Sequence, residues 1–115
     1  MNEAAYHRGL QLFNKAEFFD AHEVLEDVWR AAPAGEKKFL QGLIQVAVGL
    51  HHHSRGNLAG ARSLLARANR NLSAYSARHG GIELERLRAQ VEQWVGALEN
   101  GQTTPALPRI ETHRS

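Results

Sequence analysis

Residues 18–30, FFDAHEVLEDVWR, decide the fold of this chain. At about 100° per residue, one side of a helix collects the apolar side chains of this stretch: Phe18, Ala21, Val24, Leu25, Val28 and Trp29. The opposite side collects most of the charges: Asp20, Glu23, Asp27 and Arg30. His22 lies within the apolar arc and Glu26 lies at its margin. The stretch therefore predicts an amphipathic helix with two polar side chains, His22 and Glu26, at least half buried on one flank.

The same helical period runs through most of the chain, because apolar residues recur at spacings of three and four. It predicts five helices, at about residues 2–14, 17–32, 36–54, 58–78 and 84–98. Pro33 ends the second helix, Gly56 and Asn57 separate the third from the fourth, and the HGG sequence at residues 79–81 breaks the fourth. Because short loops place successive helices antiparallel, we expect an all-α, up-and-down bundle over residues 1–99.

Residues 100–115 have no helical period and include two prolines, so we expect an extended or disordered tail. Within the tail, Leu107 and Ile110 are the residues expected to dock on the bundle, although pairing with another chain is the alternative. The third helix has the widest apolar arc and is expected to be central. Its Gly42 and Gly49 lie two turns apart on one side, where a neighbouring helix can approach closely.

The hairpin of the second and third helices predicts partners for the polar pair. Residues equally far from the turn at Pro33 lie at the same height, which sets His22 level with Gln45 and Glu26 level with Gln41. We expect these four residues to form a polar layer, flanked by Glu23 and Trp29, if the rotation of the two helices lets their edges meet. A buried network of this kind orders a core, because an unpaired buried polar group costs about 1–3 kcal/mol.

Two chemical alternatives stay open for the same residues. A His and a Glu four residues apart can bind one metal ion, and His51 and His52 are the further candidate ligands for a divalent metal at His22 and Glu26. The HEVLE sequence lacks the second His of the zinc-protease helix, however, and no cofactor is predicted from it. General acid/base catalysis by His22 and Glu26, of a hydrolase-like kind, is the second alternative, and it requires a pocket.

The amino-acid composition restricts the remaining classes of protein and of function. The absence of cysteine excludes disulfides and thiolate metal sites, and no apolar run approaches the roughly 20 residues of a membrane span. With no signal-peptide pattern at its start, the chain is expected in the cytoplasm. Eleven Arg and three Lys give a formal charge of +2, which is modest for a nucleic-acid-binding protein. The fourth helix nevertheless has a basic face, so weak nucleic-acid binding is a further alternative: Arg62, Arg67, Arg70 and Arg78.

Three segments together resemble a known family, the small all-helical prokaryotic proteins of domain of unknown function 309. The resemblance covers about residues 6–75, with a weaker match through the fifth helix. It rests on the cluster His22, Glu23, Glu26 and Trp29, on QGLIQ from Gln41 to Gln45, and on RGN before Gly60 and Ala61. It implies a helical bundle in the prokaryotic cytosol and supplies no reaction, substrate or cofactor. The expected function is a non-enzymatic structural or protein-interaction module, with a homodimer as one form.

Overall fold

The computed structural model describes residues 2–113 and is built almost entirely from helices. There are five of them: α1 (Glu3–Asn14), α2 (Phe18–Ala31), α3 (Ala34–Ser54), α4 (Leu58–Leu72) and α5 (Leu84–Glu99). Two short strands, β1 (Arg78–His79) and β2 (Ile82–Glu83), form an antiparallel hairpin between α4 and α5. Each helix packs against the next one in sequence. The predicted all-α bundle of about five helices is therefore confirmed.

The residues at the helix ends explain several of these bounds. The side chain of Asn2 accepts a hydrogen bond from the Ala5 N–H, and Asn57 caps α4 in the same way through the Gly60 N–H at 2.9 Å. Gly56 adopts φ +82° directly after α3, the left-handed conformation expected where that helix stops. Local capping chemistry therefore separates α3 from α4 as the sequence predicts.

Helix α3 lies at the centre of the bundle, and its two interior glycines face α4. A Cβ atom at Gly42 would lie 2.6 Å from Leu72 Cδ2, and one at Gly49 would lie 3.0 Å from Leu65 Cγ. The Ala68 and Ala61 carbonyl oxygens lie within 3.4 Å of the same two positions. The close approach predicted at Gly42 and Gly49 is confirmed, and it involves both leucine side chains and backbone carbonyls of α4.

Helix α4 ends at Leu72, and its predicted continuation to residue 78 is wrong. The Ser73 hydroxyl donates to the Arg70 carbonyl at 2.7 Å, a local bond that competes with the helical ladder. Tyr75 then turns onto α3, where its hydroxyl donates to the Gly35 carbonyl and accepts from the Phe39 N–H. This tertiary contact takes residues 73–77 out of the helix and leads the chain into the β1–β2 hairpin.

The C-terminal segment is extended and lies along α5 and the hairpin. Ile110 is buried in the core, its backbone is bonded on both sides by the Asn14 amide, and the Trp94 Nε1–H donates to the Ala106 carbonyl. Thr112 forms a bridge with Ile82. Ile110 thus docks on the bundle as predicted, whereas the docking predicted for Leu107 is wrong because its side chain is 46% exposed. The last two residues of the expected tail lie outside the described residues.

Within residues 2–113, no helix is both long enough and apolar enough to cross a membrane.

Candidate functional site

The predicted polar pair lies on the outer flank of α2. The His22 Nδ1–H donates to the Phe19 carbonyl at 2.9 Å, which directs Nε2 towards Glu26 Oε2 at 3.3 Å. The other oxygen of Glu26 accepts from Arg30, which also pairs with Asp27. Side-chain exposure is 22% for His22 and 40% for Glu26. The four side chains, with Glu23, line a shallow surface cleft of about 240 Å³.

The four residues of the predicted polar layer do not come together. Gln45 accepts a hydrogen bond from the Asn71 side chain of α4 at 2.8 Å, and Gln41 is exposed to solvent. Helix α3 is rotated so that Gln45 faces α4. Across the described part of the chain, the buried side chains include no polar or charged one. The predicted His/Glu/Gln layer is therefore wrong in its partners, although His22 and Glu26 are each at least half buried, as predicted.

The flanking residue Trp29 caps the end of α2 together with Lys37. The Lys37 ammonium donates to the Trp29 carbonyl at 2.7 Å and lies 4.3 Å from the centre of the Trp29 ring. This places a cation at the carbonyl end of the helix, where the helix dipole favours it, and over an aromatic face. Trp29 thus connects α2 to the first turn of α3 and does not line the cleft of His22.

The three consecutive histidines at the end of α3 point in different directions. His51 packs on Phe19 with ring centroids 5.4 Å apart, His52 lies beside Asn57, and His53 contacts the edge of Trp94 at 4.8 Å. His22 contacts the same Phe19 ring at 5.1 Å. No group of three His, Asp or Glu side chains within residues 2–113 is arranged to hold a metal ion. His22 and Glu26 alone supply two of the four ligands that a zinc site normally needs.

A second His–Glu pair, which no motif of the sequence indicates, joins α3 to the hairpin. His79 Nε2 lies 2.8 Å from Glu36 Oε2, and both side chains are more than half buried. The imidazole packs between Phe39 and Tyr75, at centroid distances of 4.7 and 4.5 Å. The two residues are 43 positions apart. No spacing rule finds such a pair, and the sequence indicated only a helix break at HGG.

Tyr6 completes this aromatic cluster from the side of α1. Its hydroxyl donates to the Gly80 carbonyl at 2.7 Å, and its ring lies 6.4 Å from that of Phe39. Burial, together with the negative charges of Glu3 and Glu36, raises the pKa of Tyr6 well above its usual value. The hydroxyl therefore stays protonated and acts as a fixed donor. The cluster holds the hairpin against α1 and α3.

Comparison with known proteins places this sequence in a family. The family described as domain of unknown function (DUF309) matches residues 6–64, from α1 to the first half of α4. The uncharacterized protein YpuF of Bacillus subtilis (strain 168) is 44% identical over 59 residues, which are 50% of this chain and 34% of YpuF. An uncharacterized protein of Aquifex aeolicus (strain VF5) is 33% identical over 90 residues, 77% of this chain and 27% of that protein.

The chain therefore spans only about a third of the length of these curated relatives, or less. The matched region contains the α2 face, the α2–α3 hairpin and the approach of the Ala61 carbonyl to Gly49. Because the family match covers half of the sequence, the resemblance seen in the sequence is confirmed. The chain belongs to the DUF309 family, a domain of unknown function.

Proposed function

We propose that this domain is a non-catalytic protein-interaction module of the prokaryotic cytoplasm that associates with a second copy of the chain. The contact surface, which we name the Phe19–Leu58 patch, consists of two apolar side chains and the charges beside them: Phe19, Asp20 and Glu23 of α2, and Arg55, Leu58 and Arg62 at the start of α4. The observation that carries the proposal is the exposure of two large apolar residues at one end of the bundle. Phe19 is 51% exposed and Leu58 is 54% exposed.

Phe19 is exposed but held in place. Its ring contacts His22 of its own helix and His51 in the last turn of α3. Leu58 begins α4 after the short turn that follows α3, so it belongs to the same end of the bundle. A rigid, solvent-exposed aromatic ring loses little conformational entropy on binding, and aromatic anchors of this kind dominate the energy of protein interfaces.

The charges around the two apolar residues favour a second copy as the partner. Asp20 and Glu23 flank Phe19, whereas Arg55 and Arg62 flank Leu58, and all four are exposed. None of these four side chains forms an ion pair with any other side chain of residues 2–113. A two-fold axis would set Phe19 of one copy on Leu58 of the other and each acidic group opposite an arginine. Such a self-complementary surface is what a two-fold homodimer requires.

The relatives support a module rather than a free-standing catalyst. In YpuF and in the Aquifex aeolicus protein the matched helices form only part of a longer chain. A dimerising domain can occur in chains that carry different additional segments, because the contact between two copies of the domain does not involve those segments.

Sedimentation equilibrium over a wide concentration range tests the proposal. We expect reversible dimerisation of the parent protein and at least a tenfold weaker association for Phe19→Ser and for Leu58→Ser. Leu107→Ser is the matched control, since it removes a similarly exposed apolar side chain from the tail. A charge-reversed pair, Glu23→Arg with Arg62→Glu, should associate better than either single variant. A parent protein that stays monomeric at all concentrations contradicts the proposal.

The two alternative functions, catalysis and nucleic-acid binding, lead to different expected observations. An acid/base enzyme at His22 and Glu26 requires a substrate in the 240 Å³ cleft, and chemical-shift mapping with small esters and phosphoesters would detect one there. Nucleic-acid binding by the Arg face of α4 requires retention at low salt and a steep loss of affinity as salt rises. Arg78 no longer belongs to that face, since it lies in β1 and contacts Glu83.

A further inference from the structure

The C-terminal segment, residues 106–113, occupies a groove between α1, α5 and β2, which we name the α1–α5 groove. Two side-chain amides of the bundle hold the backbone of the segment. Gln90 of α5 accepts from the Arg109 N–H at 2.9 Å and donates to the Arg109 carbonyl at 3.1 Å. Asn14 of α1 makes the same two bonds with Ile110, at 2.8 and 2.9 Å. The bundle therefore satisfies both backbone groups of two consecutive residues.

The hairpin binds the end of the same segment through its backbone. The Glu83 N–H donates to the Glu111 carbonyl at 2.8 Å, and the His113 N–H donates to the Gly81 carbonyl at 2.7 Å. The segment thus pairs with the edge of β2 in the antiparallel sense. Addition of an extended peptide to the free edge of a strand is a recurring mode of peptide recognition.

The side chains of the segment alternate between the groove and the solvent. Pro108 and Ile110 are buried, whereas Arg109 and Glu111 are exposed. At the rim of the groove, Glu111 forms an ion pair with Arg86 of α5. Backbone bonds together with pockets for alternate side chains are the means by which a groove binds an extended peptide.

The residues that connect this segment to α5 make few contacts with the bundle. Residues 101–105 are exposed except for Thr104, which is partly buried. Their one hydrogen bond to α5 within residues 2–113 runs from the Gln102 N–H to the Ala97 carbonyl. Five extended residues span about 17 Å. This linker therefore lets the segment reach a groove outside its own bundle.

The linker begins at the same end of the bundle as the Phe19–Leu58 patch. In an up-and-down bundle, α2 and α4 begin at the end where α3 and α5 finish. Two ring contacts agree with this placement, since His51 lies against Phe19 and His53 lies against Trp94 in the second half of α5. A dimer formed through the patch therefore brings the linker of each copy close to the other copy.

We propose that the α1–α5 groove is a peptide-binding site whose partner is the C-terminal segment of a second copy, so that two copies exchange residues 106–113. Every contact that the segment makes in its own groove is available in the groove of an identical chain. The exchange rests on the proposed association through the Phe19–Leu58 patch, which raises the effective concentration of each segment at the groove of the other copy. It strengthens that association because Ile110 of each copy then becomes buried in the other.

Mixing two full-length variants tests the exchange. Ile110→Ser leaves the groove intact but damages the segment, whereas Asn14→Ala damages the groove and leaves the segment intact. When the unlabelled Asn14→Ala chain is added to the ¹⁵N-labelled Ile110→Ser chain, its segment should enter the labelled groove. We expect the side-chain amide signals of Asn14 and Gln90 in the labelled chain to return saturably to their positions in the parent protein.

The matched control adds unlabelled Ile110→Ser to the same labelled chain, and no signal should return, because neither chain then carries an intact segment. If Ile110→Ser does not fold, Arg109→Pro replaces it. Arg109 is exposed, and proline removes the N–H that Gln90 accepts.

Phe19→Ser in both chains separates the exchange from the patch. Loss of the signal return in that background supports exchange within the dimer that the patch forms. An undiminished return supports exchange through the α1–α5 groove and overturns the patch as the interface. If the signals do not return even at millimolar concentration, the exchange is overturned, whether or not the parent protein sediments as a dimer.

Discussion

The Tyr6 hydroxyl donates a hydrogen bond to the Gly80 carbonyl at 2.7 Å and so joins α1 to a hairpin 74 residues further along the chain. Gly80 in turn can occupy this position only because it has no side chain. Its φ is +63°, and a Cβ atom there would lie 2.7 Å from the Phe39 ring and 2.8 Å from the Tyr6 oxygen. The two residues form a single joint between α1, α3 and the hairpin.

Tyr6 makes the protein sensitive to alkali. Its pKa is raised by burial first and by Glu3 and Glu36 second, so the folded state keeps a proton that the unfolded state releases above about pH 10. Because the folded state then binds more protons than the unfolded state, stability falls as pH rises from there, by at most about 1.4 kcal/mol per pH unit from this group. Urea unfolding at pH 9, 10 and 11 measures the slope.

Tyr6→Phe is the control for that measurement. It should cost about 1–3 kcal/mol at neutral pH, because the Gly80 carbonyl is left without its donor. Its stability should then fall less steeply with pH than that of the parent protein. If the free energy of unfolding falls equally steeply with pH in both proteins, Tyr6 does not titrate in the unfolding equilibrium.

The two adjacent glycines of the hairpin should respond differently to alanine. Gly80→Ala combines a left-handed backbone with a clash against Phe39 and Tyr6, and we expect a loss of about 2–5 kcal/mol. Gly81 also has a positive φ, of +73°, but open space surrounds its Cβ position. Gly81→Ala should therefore cost only about 1 kcal/mol. Thermal unfolding compares the pair, and equal losses would contradict the joint described above.

The docking of the C-terminal segment should contribute strongly to stability. Ile110→Ala removes a side chain that is 3% exposed, and we expect it to cost about 2–5 kcal/mol. Leu107→Ala, in the same segment, should change stability by less than about 0.5 kcal/mol, because that side chain is half exposed. Chemical unfolding of both variants measures the difference. If the C-terminal segment contributed nothing to stability, neither substitution would change the free energy of unfolding.

The pair His22 and Glu26 should contribute little to stability. A buried layer would make His22→Ala and Glu26→Ala cost about 1–3 kcal/mol each. On the partly exposed flank of α2, where Glu26 is shared between His22 and Arg30, we expect less than about 1 kcal/mol for each variant and for their coupling. A double-mutant cycle measures both quantities. A coupling above that range would restore the network interpretation.

Removal of metal should have no effect on the fold. The His22 and Glu26 side chains offer two ligands, and no third His, Asp or Glu side chain within residues 2–113 completes a metal site with them. We predict no stoichiometric divalent metal in untagged protein by elemental analysis, and the same melting temperature with and without chelator. A chelator-dependent loss of several degrees would revive the metal hypothesis.

The sequence by itself determined the helices and where most of them stop. The apolar period of residues 18–30, Pro33 after α2 and the Gly56–Asn57 pair before α4 act within a few residues, so single-sequence reasoning finds them. The close packing at Gly42 and Gly49 was also readable, since two small residues on one helical face indicate a near neighbour. These signals are local, so they can be recognised without knowledge of the partner helix.

Only the tertiary structure decided which side chains meet. Gln45 pairs with Asn71 instead of His22 because the rotation of α3 about its axis depends on how all of its neighbours pack. The end of α4 at Leu72 depends on the Tyr75 hydroxyl reaching α3, and the His79–Glu36 pair depends on the hairpin that follows. Each of these contacts joins residues more than 25 positions apart, and no periodicity in one helix encodes the angle at which another helix crosses it.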